Sequence, residues 1–479
     1  MSLNPTLSAA LGLMLGLVSS ACAATIQKAN NSADLNLPAS WTDGVVPGSQ
    51  DVARWNSILA GGNFTNLGAD LSWQGITVLD PGGGVIIGGA NTLTLGTAGI
   101  DMNSATQDLI ITSGLTIAAG QSWDVAAGRV LALGTGAFTR GAGATLIARG
   151  AGTITTTNIA NTNGIIGPWA VVNASGIYSY ATVSSGNIMG FTGGTASADF
   201  NWTRTNNNTF NYDVAATGAA IGSDRVANTV RFTGGTGTQN YGTNNTTTVT
   251  LNGLLNSGNG MVTLGEAGGT SHGQLAIGTN NGNELVFNAA NSGIVVAIPI
   301  INTGATAGSI VTTGSNTVTI TGTGGVSTYT GNTTVSGGTL VLADDSQLKF
   351  LIGANGVSNS ISGNGTVTLN GDFNLDLTGA SPAPGNSWSL VNVGTLNETF
   401  GSTFGLVGFT ESANVHTRTV GTDTYSFSEA SGNLTVAVAT GYALWAGNYA
   451  ANQAANLDFD NDGVRNGVEY FMGATGSSF

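Results

Sequence analysis

The sequence predicts an all-β protein, a solenoid of stacked coils closed by a unit at each end. Three observations predict it. Apolar residues recur in pairs at i and i+2, the period of a half-buried strand, from Ile76/Val78 through to Val318/Ile320. Glycine separates the pairs: 75 of the 479 residues are Gly and only 8% are charged, a composition suited to tight turns between narrow strands. Runs this short cannot bury a face alone, so they must close a core shared with neighbouring coils.

Taken in order, residues 1–23 read as a secretory signal. An apolar run around Leu11 to Val18 precedes Ser19, Ser20 and Ala21-Cys22-Ala23, which fits the small-residue cleavage pattern, so the mature chain is expected to begin at Ala24. No Lys or Arg precedes the run, a departure from the usual pattern. The run is too short to span a bilayer, and no transmembrane segment is expected in the mature chain. The sole cysteine, Cys22, lies inside the segment to be removed, so neither disulfides nor thiolate metal sites are expected. Lipidation of Cys22 is the rival reading, disfavoured by the lack of the usual leucine in Ser19-Ser20-Ala21.

Residues 24–56, with Trp41, Val46, Pro47, Asp51 and Trp55, are more aromatic and less regular, as an end unit closing an exposed solenoid core would be. From Ile76 the pairs follow in steps: Val85/Ile87, Leu93/Leu95, Ile100/Met102, Leu109/Ile111, Leu115/Ile117, Trp123/Val125 and Leu131/Leu133. They recur about every eight residues, so three strands make a coil of roughly 24, within the range of structural repeats. Both members of a pair share one face and are expected to point inward. The stretch 164–193 breaks this spacing and gathers Trp169, Tyr178 and Tyr180, and a polar run from Asn201 to Asn211 follows it. Regular pairs resume at Val230/Phe232 and continue through Val249/Leu251, Val262/Leu264, Leu275/Ile277, Leu285/Phe287 and Ile294/Val296. The solenoid is expected to fill residues 24–368.

Residues 317–344, TVTITGTGGVSTYTGNTTVSGGTLVLAD, show the pattern in one place, with strand alternation around Val318, Thr334 and Leu340 and glycine turns between. Within it, Ser327 to Leu340, STYTGNTTVSGGTL, resembles the autotransporter-associated β-strand repeat of secreted bacterial passenger proteins, in one clear copy. The stretch 164–193 resembles a segment common in proteins with this repeat, where it belongs to the solenoid. The resemblance implies a right-handed parallel β-helix of the pectate-lyase-like type, located at the cell surface. No C-terminal membrane-barrel pattern accompanies it.

After Leu369 the strands lengthen and aromatics increase, which predicts a β-rich cap over residues 369–440. Residues 441–479 carry the helical signals, weakened by Gly447, and the ending at Gly476 to Phe479 reads as abrupt. Asp458-Phe459-Asp460-Asn461-Asp462-Gly463 with Glu469 reproduces D-x-D-x-D-G-x5-E, in which alternate oxygens converge on one calcium ion. The expected ligands are Asp458, Asp460, Asp462, the Val464 carbonyl, Asn466 directly or through water, and Glu469. The segment resembles the calcium loops of the EF-hand, dockerin and thrombospondin type 3 families, in a single copy. Trp445, Tyr449, Phe471 and Met472 are expected to pack its flanking helices together.

Catalytic constellations are sparse. Between Val226 and Ala343 the charged residues are Arg231, Glu266 and Glu284, and no acid lies between Asp124 and Asp199, whereas glycosidic chemistry needs clustered carboxylates. Asp344-Asp345 lacks a following histidine motif and basic pair. Gly269 to Gly273 matches G-x-S-x-G around Ser271, but a strand pattern rather than a helix follows it. His272 and His416 read as polar surface residues. The net charge of −14, with lysine only at Lys28 and Lys349, disfavours nucleic acid. The expectation is therefore a secreted or cell-surface scaffold, structural or adhesive rather than catalytic, whose partners are surface polysaccharides or other cell-surface components. The alternative is a carbohydrate-active or carbohydrate-binding β-helix, with Trp123, Trp169, Trp202 or Tyr178 lining a sugar groove.

Overall fold

The computed structural model describes residues 24–202, 208–241, 247–265, 273–438 and 441–473. The expected signal segment lies outside the described residues, as do Ser271 and His272. The fold is all-β, 45% strand and 4% helical, a parallel β-solenoid of about 14 turns with two short helices near the C-terminus. The inward pairs explain it. Every pair from Ile76/Val78 to Leu131/Leu133 is buried, as are the pairs from Val230/Phe232 to Val318/Ile320. Parallel ladders align each pair with that of the next coil: Val318 with Leu340, 22 residues on, and Leu340 with Val367, 27 residues on.

The coils form two arms rather than one rod. In the first arm, one face stacks Thr25–Gln27, Val52–Trp55, Leu71–Val78, Thr92–Met102, Gln121–Val125 and Leu146–Gly150 in parallel. A second face stacks Asn63–Asn66, Val85–Gly88, Leu109–Ile111, Val130–Leu133 and Thr153–Thr156. The N-terminal end is closed by Trp41, Trp55 and Trp73, whose rings meet at 5.8 to 6.1 Å, near the bottom coil. The irregular stretch 164–193 closes the other end. Its strands Ala170–Ala174, Ile177–Ser184 and Asn187–Gly190 run antiparallel and bridge from the first face to Thr153–Thr156 on the second.

The second arm begins at Thr195–Ser197 and runs back beside the first. Near the turn, Tyr180 donates its hydroxyl to the Val230 carbonyl (3.2 Å), Arg231 donates to Ser179 Oγ (2.5 Å) and Asn211 to the Asn163 carbonyl (2.7 Å). Further along, Thr145 meets Thr313 at 3.1 Å, and Arg140 pairs with Glu284. Further still, Ser336 donates to the Gly143 carbonyl, and Gln50 and Gln74 share a cleft of about 480 Å³ with Asn364 and Thr395. Numbers fall on one arm as they rise on the other, so the arms lie antiparallel. Small residues permit the approach: a Cβ on Gly120 would sit 2.2 Å from the Ser336 carbonyl oxygen. Each arm has its own core, and outward-facing Val286 and Val311 of the second arm join the first arm's core.

Parallel pairing continues past the expected boundary at Leu369. Asp372–Asp376, Asn397–Phe400 and Gly405–Leu406 still add to solenoid faces. The antiparallel cap is the five-stranded sheet of Ser387–Ser389, Asn433–Ala437, Asp423–Ser428, Val415–Val420 and Thr410–Ser412. Phe427, Phe404, Phe400 and Phe373 pack beneath it and seal the second arm's core.

Candidate metal centre

The tail carries α1 (Gly441–Tyr449) and α2 (Asn466–Met472), with the acidic loop between them. Short side chains bend this loop by bonding its own backbone, a habit of Asp and Asn. The Gly463 amide donates to Asp458 Oδ2 (2.9 Å), the Asp462 amide to Asp460 Oδ1 (3.3 Å) and the Val464 amide to Asp462 Oδ1 (2.8 Å). Gly463 has φ +92°, where a side chain would be strained. Asp458, Asp460 and Asp462 thereby each offer an oxygen within 4.8 Å of the others.

Glu469 completes the acidic group from α2. It is 1% exposed, and its Oε1 and Asp458 Oδ1 are buried without a hydrogen-bond partner. Burial pushes the Glu469 carboxyl above its ordinary range, and the charges of Asp460, Asp462 and Asp458 add to the effect. Buried acceptor oxygens lacking a donor, beside three converging carboxylates, fit a hard cation with oxygen ligands. Asn466 also serves the loop. Its Oδ1 accepts from the Phe459 amide (3.0 Å) and its Nδ2 donates to the Ala454 carbonyl (3.2 Å), which ties the loop to the start of α2.

The helices pack through residues other than those expected at α2. Tyr442, Trp445 and Tyr470 meet at 5.6 to 6.1 Å, while Phe471 is 85% and Met472 60% exposed. Tyr470 follows Glu469 directly, so one turn of helix supplies both the inward carboxylate and the packing ring.

The aromatics proposed for a sugar groove belong to the interior. Trp123, Trp169 and Trp202 are buried, and Tyr178 is half-buried beside Tyr180. Trp123 bonds Gln121 (3.1 Å), Trp169 lies under the Arg140 guanidinium (5.2 Å), and Trp202 stacks on Tyr212 (4.8 Å). His416 is not a surface residue either. It is 1% exposed, edge-on to Phe404, with Nε2 2.8 Å from Glu429 Oε1. Thr417 to Val420 on the same strand are all exposed, so alternation does not single it out. Asp344 and Asp345 sit exposed on a turn, where Asp345 accepts from Thr323 (3.0 Å).

Among the described residues, no helix is long and apolar enough to cross a membrane. The chain matches no protein-family model, no curated protein and no solved structure.

Proposed function

We propose that the protein is a secreted or cell-surface scaffold with a structural or adhesive role, not a catalyst, and that its tail holds one calcium ion. The observation that carries the scaffold reading is the folded-back pair of arms, stapled from turn to tip and offering a threonine hydroxyl ladder outward. Thr94 aligns with Thr116, and Thr116 meets Thr139 at 2.5 Å, one coil apart each time. Such a ladder repeats the same weak donor and acceptor at the strand spacing of about 4.8 Å. Many weak contacts to a repetitive surface polymer then sum through multivalency. Immunolabelling and protease shaving of intact producing cells test the location, and adhesion of a deletion strain tests the role. Protein confined to the cytosol, or adhesion unchanged by the deletion, would overturn the reading.

Asp458, Asp460, Asp462, the Val464 carbonyl and Glu469 would ligate the ion, with Asn466 fixing the loop. The ion satisfies the orphaned Asp458 and Glu469 oxygens and offsets the mutual repulsion of four carboxylates. A single extracellular loop is expected to bind weakly, with Kd around 10⁻⁴ to 10⁻³ M. Isothermal titration of the full chain with calcium should show one site, and Glu469→Ala should abolish it. Heat that persists in Glu469→Ala would sink the assignment.

A further inference from the structure

The cap and the last coils of the second arm enclose a cleft of about 600 Å³ that the scaffold reading leaves without a role. Lys349, Asp376 and Arg418 line it, together with Asn374, Thr378 and Val420. The cleft concentrates cations in a chain that has only 11 Lys and Arg against 25 acids. Adjacent parallel strands carry the first two: Leu351 aligns with Asp376, and Lys349 Nζ reaches Asp376 Oδ2 at 3.1 Å. Hydrogen bonds from Thr378 and then Lys349 hold the Asp376 carboxyl below the usual carboxylate range, so it remains an ionised acceptor. Lys349 and Asp376 therefore neutralise each other, and the charge left over is that of Arg418.

Arg418 enters from the facing antiparallel strand Val415–Val420. Its guanidinium lies 6.0 Å from the Phe409 ring centroid and has no hydrogen bond or ion pair among the described residues. Arg140, Arg149 and Arg231 are each paired to a carboxylate, whereas among the described residues Arg418, like Arg54 and Arg465, is not, and Arg418 lines a cleft. A planar fork of donors, steadied on an aromatic ring, matches a carboxylate or sulfate oxygen pair. Around it stand the groups that suit a polyhydroxylated ring: Asn374, Asp376 and Thr378 as hydroxyl partners, and the Val420 side chain, 42% exposed, as an apolar seat for ring C–H groups.

We propose that this cleft binds an anionic sugar unit, its carboxylate or sulfate on Arg418 and its hydroxyls on Asn374, Asp376 and Thr378. The proposal rests on the adhesive reading and names the class of polymer it would grip: acidic rather than neutral polysaccharide. Titration of the full chain in calcium-free buffer tests it, with three tetrasaccharide probes of one backbone: uronate-bearing, O-sulfated and carboxyl-reduced. Binding of the uronate or the sulfated probe, and at least tenfold weaker binding of the reduced one, is expected, and whichever anion binds identifies the source. Arg418→Gln should weaken that binding tenfold or more and Arg418→Lys less, with unchanged circular dichroism; Lys349→Gln provides a second variant of the same cleft. Equal binding of the reduced probe, no anion binding up to about 10 mM, or full binding by Arg418→Gln would overturn the site. Because the assay is in solution, its failure leaves cell-surface location and adhesion to be judged separately.

Discussion

Ile320 and Thr319 stand next to each other in one strand, yet the first is fully buried and the second half-exposed. The difference follows from alternation alone, and it is why the core could be read from the sequence residue by residue. Ile320→Asp places an unpaired charge among stacked aliphatics and is expected to cost at least about 3 kcal/mol. Thr319→Asp, whose side chain faces out, should stay within about 1 kcal/mol. Chemical denaturation compares them; equal midpoints would mean the strand is registered the other way. Lys28 is a residue that alternation could not place. Wholly buried at the N-terminal end, it donates to the Ala29 and Asn31 carbonyls and to Asn31 Oδ1, at 2.9 to 3.0 Å. Burial lowers its pKa to about 8 from an ordinary 10.5. At Lys28 the unfolded chain then binds more protons between those values, so this group's contribution to stability should rise from about pH 8 to pH 10. Burial holds Tyr180, Tyr241 and Tyr329 above their usual range, so as the unfolded tyrosines ionise near pH 10 they oppose this rise, by an amount common to the protein and its Lys28 variant. Melting curves of the protein and of Lys28→Met should differ in slope there; identical slopes would assign the titration to another group.

At the scale of elements, strands were legible and their partners were not. A pair such as Leu93/Leu95 announces a strand because only period 2 buries both residues on one side. The acidic spacing was equally legible, since Asp458, Asp460 and Asp462 at alternate positions do converge. The helix contacts were not: Tyr470, Phe471 and Met472 are consecutive and all apolar in part, and a helix this short gives no periodicity to choose between them. The structure chooses Tyr470, and the choice can be measured. Tyr470→Ala removes ring contacts to Tyr442 and Trp445 and is expected to destabilise the tail by about 0.5 to 1.5 kcal/mol. Amide exchange in α1 should accelerate accordingly, whereas Phe471→Ala should leave it unchanged. Faster exchange in Phe471→Ala would mean that the exposed ring packs after all.

For the whole molecule, the fold-back was the feature the sequence hid, because side-by-side contact uses the same Gly, Ala, Ser and Thr that elsewhere face solvent. Its trace is local. Leu254-Leu255, Val286 beside Leu285 and Phe287, and Ile310-Val311 break the alternation, as strands buried on both faces do. Each arm has a main core of its own, and the seam between them, where Val286 and Val311 reach the first arm's core, decides whether they unfold together. The strongest joint is Arg140–Glu284. Arg140 also donates to the Ala144 carbonyl (2.7 Å) and covers Trp169, while Glu284 Oε2 accepts from the Gly143 amide (3.1 Å), with both charged side chains largely buried. Glu284→Ala strands a buried guanidinium and an amide at once, for which a loss of about 3 to 5 kcal/mol is expected. With that joint gone, the two cores are expected to melt in separate calorimetric transitions where the intact protein shows one. Arg129→Ala provides the control. Its pair with Asp108 is longer, at 3.6 Å, and lies in solvent, so it should change stability by less than about 1 kcal/mol and leave the single transition intact. If Glu284→Ala behaved like Arg129→Ala, the arms would be held together chiefly by their backbone approach at Gly120 and Gly143, and the ion pair would be incidental to it.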